Sequence, residues 1–322
     1  MTRFISALAV ALAAAAAAVS ALAQPFPTKI ITLVCPFPPG GSTDTAARII
    51  AERMRAPLGQ SVVVENVGGA GGTIGVGRIA RAAPDGYTID IGQWDTHVGS
   101  IIYPLNYDLV RDFAPIGLMT INPQLMIARK GFPADDLKGL VAWMKANPGK
   151  ATLVDQNAAA KLGGIQLQQS TGTKLEFIPF RGAGPAMQAM LGQQVDLMIV
   201  QTAVVMPQAR AGNVKILANL SPKRSQVVPE IPTSDESGVP GFYAAGWFGL
   251  FAPKGTPKEI IARLNAAMVE ALGDATVQKR FADLGLDIAS REQQTPEGLA
   301  AYHKAEIDKW WPVIKAANIK VE

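Results

Sequence analysis

The sequence predicts an α/β protein of two lobes, each a mostly parallel sheet flanked by helices. Three observations predict it. The 322 residues suit two domains of roughly 150 residues each. Continuous apolar runs of strand length alternate with stretches whose apolar residues fall at helical spacing, the pattern of βαβ units. This alternation runs through both halves of the chain with no sequence repeat behind it, and a helical tail follows.

Ile30 to Val34 is a continuous apolar strand. Thr43 to Arg55 is a helix with Ala46, Ala47, Ile50, Ala51 and Met54 on one face, and Ser61 to Val64 is the next strand. Residues 74–82 read as a helix and 87–91 as a strand, completing a βαβαβ unit. In the second half, strand 125–128 precedes a helix over 136–146, which Asn147-Pro148-Gly149 ends. Strand 151–154, helix 161–171, an extended 175–179, helix 185–191 and strands 195–200 and 214–218 follow. After Pro240-Gly241, Trp247 to Ala252 is a strand, and Pro257 opens a helix with Ile260, Ile261, Leu264, Ala267, Met268 and Leu272 at helical spacing. A last helix runs from Pro296 to about Ala316. The expected plan is a leader over 1–23, a first lobe over 24–123, a second over 124–246, and a return to the first lobe with C-terminal helices over 247–322.

The leader has a basic start at Arg3, a run of Ala, Leu and Val from Phe4 to Ser20, and the small-x-small site Ala21-Leu22-Ala23, which together read as a secretory signal peptide. The alternative is an uncleaved anchor, because the apolar run approaches the roughly 20 residues that span a bilayer. Gln24-Pro25-Phe26-Pro27 breaks a helix just past the site and favours cleavage after Ala23. Cleavage leaves 299 residues and lowers the net charge from +4 to +3. Cys35, inside the first apolar strand, reads as a buried thiol and not as a lipid-bearing cysteine. An export signal without a structural disulfide fits the periplasm.

Composition narrows the function classes. Charged residues make up 17% and apolar residues 48%, with no run of like charges longer than a pair, which argues against disorder and against a nucleic-acid surface. One Cys and two His cannot build a disulfide, an iron-sulfur centre or a carboxylate-free zinc site. We therefore expect no cofactor and no metal.

The segment Pro36-Phe37-Pro38-Pro39-Gly40-Gly41-Ser42-Thr43-Asp44 joins the first strand to the first helix. Two glycines let backbone approach a ligand, and free N–H groups at a helix start favour an anion. A plain strand-to-helix turn with Ser42 as N-cap explains the same residues equally well. Asp44 in the first turn suits the helix dipole but would repel a bound carboxylate, unless the ligand also carries an ammonium. In a second glycine-rich run, Gly75-Val76-Gly77-Arg78-Ile79-Ala80 fits a dinucleotide fingerprint by letter, yet it starts about ten residues after its strand, too far for nucleotide binding. His97 follows the third strand in Trp94-Asp95-Thr96-His97, where an Asp95–His97 general base is conceivable; His303 on the last helix reads as solvated. No nucleophile elbow, zinc-helix motif or Cys–His pairing is present.

Several blocks together resemble a known family. They are residues 30–44, Leu58-Gly59-Gln60 through Asn66, Gly69-Ala70-Gly71-Gly72, and Ala83-Pro84-Asp85-Gly86-Tyr87-Thr88. Later come Asp108 to Phe113, Pro179-Phe180-Arg181-Gly182, Ala211-Gly212-Asn213, Ile231-Pro232-Thr233, and Trp247 through Pro257. The ordered set is similar to the tripartite tricarboxylate transporter solute-binding proteins (TctC), also called Bug receptors, over the whole mature chain. The resemblance implies a two-lobed periplasmic binding protein of the Venus-flytrap kind, without enzymatic activity. Its cleft would hold a ligand carboxylate on backbone amides of the first loop, with bridging waters, and on a facing second-lobe loop. Carried over by position, Pro39, Gly40, Gly41 and Ser42 form the cradle, with Asp44 beside it. Thr96 and His97 fall on a family-like pair near the cleft, and Arg181 and Gly182 begin the facing loop.

Two departures concern the second lobe. Asp155 to Leu162 replaces a Gly- and Ser-rich loop ending in His-Leu, and Gln201-Thr202 stands where an Asp is frequent. Asn157, Ala158, Lys161 and Gln201 are the candidates there, offering amides and one ammonium to the far end of the ligand. The implied partners are a small organic acid and the membrane subunits of a tripartite transporter, served by a monomer that binds no nucleic acid. Two alternatives stand beside transport. One is a receptor presenting its ligand to a membrane sensor kinase; the other is an exported hydrolase or isomerase using Asp95 and His97.

Overall fold

The computed structural model describes residues 26–316 apart from 123, 222, 226, 227 and 245. The leader over 1–23 and its cleavage after Ala23 lie outside the described residues. The first parallel unit is strand β1 (Ile31–Cys35), helix α1 (Ser42–Leu58), strand β2 (Val62–Asn66), helix α2 (Thr73–Ala80) and strand β3 (Thr88–Gln93). β1 pairs in parallel with both β2 and β3. α1 buries Ala46, Ala47, Ile50, Ala51 and Met54, and it stops at Gly59, whose left-handed φ of 68° lets its N–H reach the carbonyls of Arg55 and Ala56. A single-turn helix α3 (Trp94–His97) follows β3, and the chain then forms β4 (Phe113–Ile121).

From β4 the chain crosses directly into β5 (Gln124–Arg129) of a second sheet. The second unit is α4 (Leu137–Ala146), β6 (Thr152–Asp155), α5 (Ala158–Thr171), β7 (Glu176–Pro179), α6 (Ala183–Leu191), β8 (Leu197–Gln201), α7 (Thr202–Arg210) and β9 (Val214–Asn219). β6 is parallel to β7 and β8, as β1 is to β2 and β3. The chain returns through β10 (Trp247–Pro253), α8 (Lys258–Gly273), α9 (Ala275–Asp283), β11 (Asp287–Ile288) and α10 (Pro296–Ala316).

The sheet orders are β11-β4-β10-β3-β1-β2 and β7-β6-β8-β5-β9. Both sheets are mixed. The strand that enters each from the other lobe, β10 or β5, lies antiparallel to both of its neighbours. The two-lobed α/β architecture is as expected, but parallel pairing is confined to the triples around β1 and β6. The reason is the double crossover: a strand arriving directly from the other lobe has no helix to carry it back to the parallel end.

Each sheet has an apolar cluster on both faces. One first-lobe cluster sits under α1, α8 and α9, and the other gathers Trp94, Trp247, Phe251, Leu299 and Trp310 beneath α10. This second cluster also includes Ala158 and Ala159 at the start of α5. The opposite lobe therefore plugs into the first lobe's core.

Five elements escape the sequence reading: the short α3 and β11, and the longer β4, α7 and α9. Pro115 and Gly117 disguise β4, Pro207 disguises α7, and α9 carries its few buried side chains, Val277 and Phe281, on one narrow stripe. Gly117 permits close packing, because a Cβ there would overlap the Gln294 carbonyl and the Met268 methyl. Gly117→Ala is expected to destabilise by about 1–3 kcal/mol, measured by urea unfolding; a change below about 0.5 kcal/mol would show that the packing yields.

Candidate functional site

The loop between β1 and α1 is held by one carboxylate. Asp44 accepts from the Gly40 N–H at 3.1 Å, from Asn66 Nδ2 at 2.9 Å and from Arg48 Nε at 3.1 Å. Asn66 Nδ2 also donates to the Phe37 carbonyl at 2.9 Å. Burial alone would raise the pKa of Asp44, but Arg48, Asn66 and the Gly40 N–H hold it below the ordinary carboxylate range. Asp44 thus braces the cradle and has no free valence for a ligand ammonium. Gly40 has φ +89°, with open space where a side chain would be. No side chain caps α1 at Gly41, and Ser42 Oγ is buried without a partner. A helix start left open in this way favours an anion.

The facing loop touches this one. A Cβ on Gly182 would lie 3.0 Å from Pro38 Cδ, and one on Gly184 would lie 3.0 Å from the Pro39 carbonyl oxygen. The lobes are closed here, and the contact is available because both positions lack a side chain. Beside it lies a cavity of about 770 Å³ between the lobes. Its first-lobe wall is Pro39, Asn66, Tyr103 and the backbone of Gly68 to Gly72; its second-lobe wall is Asp155, Gln156 and Arg181. Tyr103 has its hydroxyl pushed up to about 12 by burial, with Asp155 and Asp95 adding to the shift, so it is a neutral donor. Gln156 donates Nε2 to the Ile199 carbonyl at 2.6 Å, while its Oε1 is buried and unpartnered. A second cavity, of about 290 Å³, lies behind the crossovers near Asn122 and Trp310. The larger one lies between the two loops of the site.

The remaining sequence candidates take other positions. His97 is wholly buried and does not face the cavity. Its Nε2 lies 3.3 Å from Asp90 Oδ2, its Nδ1 lies 3.0 Å from Thr96 Oγ1, and its ring stacks on Phe251 at 4.2 Å. Burial pushes His97 well below and Asp90 well above their ordinary values, so it disfavours charge on both. His303, read from sequence as solvated, is 7% exposed, with Nε2 2.7 Å from the His97 carbonyl oxygen. Thr96 is also buried, but its methyl backs Gly72, where a Cβ would come within 2.7 Å of it. It therefore supports the glycine wall indirectly.

Asp95 points the other way, into the second lobe, where Oδ1 accepts the Ala159 N–H at 2.7 Å. Burial raises its carboxyl to about 7, with the Ala159 N–H acting against the rise. Asp95 and His97 therefore do not converge on a common reactant, which removes the geometry required for the hydrolase reading. Asn157 is the N-cap of α5, accepting from the Ala160 N–H at 3.0 Å, and Ala158 is buried in the first-lobe cluster. Lys161 pairs with Asp155 at 2.9 Å and lies over the Phe177 ring. Gln201 donates to Gln93 Oε1 at 2.8 Å across the lobes, and the same oxygen accepts from Thr43 Oγ1 at 3.0 Å. Among the described residues only Arg181 puts an unpaired charge on the cavity wall. Sequence reasoning missed Asn66, Gly68 to Gly72, Tyr103 and Gln156. The doubled glycines were the available signal, read as a failed nucleotide motif and not as a wall of close backbone.

The family model for the tripartite tricarboxylate transporter family receptor matches residues 46–319. The chain belongs to this receptor family. Relatives include the Bordetella pertussis protein BugT, 35% identical over 100% of this chain and 99% of BugT. An Agrobacterium vitis protein is 37% identical over 91% of this chain and 86% of its own length. Among solved structures, periplasmic binding protein BugD is 39% identical with a TM-score of 0.87, covering 92% of this chain and all of BugD. MatC of Rhodopseudomonas palustris with bound malate is 39% identical with a TM-score of 0.85, covering 90% of this chain and all of MatC. A second R. palustris structure, with adipate, is 30% identical with a TM-score of 0.86, covering 92% of this chain and 99% of that one. The family is one of solute-binding receptors.

Two outcomes follow. Asp44 stabilises the fold above the unfolded carboxylate pKa near ~4, and that contribution disappears as pH falls through its depressed folded value. Asp44→Asn should cost about 1–3 kcal/mol at pH 7, with the gap to wild type narrowing below pH ~4 in thermal melts; a gap independent of pH would refute the brace. Gly184→Val should hold the two loops apart, raising the radius of gyration in small-angle scattering while secondary structure is retained. An unchanged radius would mean that the loops do not set closure.

Proposed function

We propose that this receptor captures a small organic acid between its lobes in the periplasm and delivers it to a membrane transporter of the tripartite tricarboxylate type. The observation that carries the reading is the unpaired guanidinium of Arg181 on the wall of a cavity whose opposite wall is Pro39, Asn66 and the backbone of Gly68 to Gly72, with the uncapped helix start at Gly41–Ser42 just past Pro39 in the same loop. The two provide N–H donors and positive charge for one carboxylate, and Arg181 adds a planar fork suited to it. Pro39, Gly40, Gly41 and Ser42 form the first-lobe half of the cradle, and Arg181 and Gly182 the second-lobe half. Malate- and adipate-bound relatives support a carboxylate ligand.

The mechanism is population shift. A ligand touching both walls binds only the closed form fully, so binding stabilises closure, and a transporter that recognises the closed form is thereby told that the receptor is loaded. Export follows from the leader, removed after Ala23, and the mature protein works as a monomer without catalytic turnover. Energy for transport comes from the membrane partner.

A thermal-shift screen of mono-, di- and tricarboxylates, aromatic acids and amino acids on the mature chain should give at least one hit that raises Tm by linkage. No hit in any class would defeat the reading. Arg181→Gln, at an exposed position, should leave Tm of the free protein within about 1 °C while weakening the hit at least about tenfold, or about 1.4 kcal/mol. Undiminished affinity would remove Arg181 from the site.

A further inference from the structure

The two lobes repeat one local design and finish it differently. In each, the middle strand of the parallel triple, β1 or β6, leads into a helix, α1 or α5, that starts at the lobe interface. The α1 start has no side-chain cap, and Ser42 Oγ beside it is buried and unpartnered. The α5 start is filled twice: Asn157 accepts the Ala160 N–H at 3.0 Å, and Asp95 of the first lobe accepts the Ala159 N–H at 2.7 Å. Ala158, Ala159 and Ala160 are 0–3% exposed and Asp95 is 0% exposed, so this helix start is sealed. Asp95 Oδ2 is buried without a partner, so the contact is a single carboxyl oxygen on a helix start and not a closed polar network.

The Asp95 carboxylate therefore has the chemistry of a ligand carboxylate, arriving from the opposite lobe. The other charges at the cavity do not offer a replacement. Asp155 is neutralised by Lys161 at 2.9 Å. Arg181 is the unpaired cation on the cavity wall among the described residues, and it adjoins Gly182, which packs on Pro38 of the β1–α1 loop.

We propose that Asp95 is a specificity-determining residue: it fills the second-lobe anion site from within, so the cleft takes a ligand with a single carboxylate and discriminates against one whose second carboxylate would reach α5. The proposal rests on the receptor reading above. A second ligand carboxylate finds no free Ala159 N–H at α5, because Asp95 already holds it, whereas a neutral or apolar far end meets the Gln156 amide and the Tyr103 hydroxyl.

The test is calorimetric titration of the mature protein and of Asp95→Asn and Asp95→Ala with matched acids: hexanoate and adipate, butyrate and succinate, benzoate and terephthalate. Wild type should bind the monocarboxylate of at least one pair ten times more tightly than its partner. Asp95→Ala, which frees the Ala159 N–H, should shift that ratio at least tenfold towards the dicarboxylate. Asp95→Asn keeps the acceptor and the shape while removing the charge, and should shift the ratio less. A merely structural role would weaken both acids of a pair alike. Wild-type preference for the dicarboxylates, or one ratio across all three proteins, overturns the proposal and leaves the receptor reading standing. No binding of any of the six acids to any of the three proteins overturns the proposal, while the receptor reading falls only with the thermal-shift screen.

Discussion

The chain passes between its lobes twice, and the passing segments lie side by side, with the Asn122 N–H donating to the Gly246 carbonyl at 2.7 Å. Much of the structure follows from that contact. Because neither crossing passes through a helix assigned among the described residues, each sheet receives an antiparallel intruder, β5 or β10, next to its parallel triple. Because the intruder lies beside the third strand of the triple, the loops after β1 and β6 are brought to the same interface. A hinge of two bonded segments can bend with little change elsewhere, and the close packing of each lobe's core keeps the lobes rigid as it bends.

The first lobe must also hold α10, which arrives last in the chain. The Asp90–His97–His303 cluster accomplishes this by burying three titratable groups with none of them facing the cleft. Desolvation favours the neutral form of each; the His97 ring stacks on Phe251, and the His97 backbone carbonyl accepts from His303 Nε2. The same burial makes α3 a fixed platform. Its Asp95 is aimed at the second lobe because His97, two residues on, is anchored in the first.

The sequence carried the fold well wherever apolar periodicity was undisturbed, as in β1, α1 and α8. It carried β4 and α7 poorly, since Pro115, Gly117 and Pro207 are tolerated through tertiary packing that a local pattern does not record. The first-lobe loop and its open helix start were legible because both are local features. The second-lobe half was not. Gln201 and Lys161 have ligand-like side chains, yet they are bonded to Gln93 and Asp155. Asp95 contacts Ala159 across 64 positions of sequence. Pairings at that range depend on how the lobes meet and leave no spacing to read.

The cross-lobe contacts also bear on how such a receptor can signal. Among the described residues, hydrogen bonds that join the lobes near the cleft include two, Ala159 to Asp95 and Gln201 to Gln93. At a net of about 0.5–1.5 kcal/mol each, they favour closure by about 1–3 kcal/mol before any ligand arrives. Were nothing opposed to them, an empty receptor would sit closed and tell its transporter nothing. Burying the Asp95 carboxylate supplies an opposing cost, visible in its rise to about 7, because in the open form that group regains water. The uncapped α1 start and Ser42 add a second cost, since closing without an anion buries donors that have no acceptor. A bound carboxylate cancels the second cost alone. The ligand thus decides the equilibrium by satisfying groups the fold leaves unsatisfied, and a modest number of contacts can suffice because the two states are otherwise closely balanced.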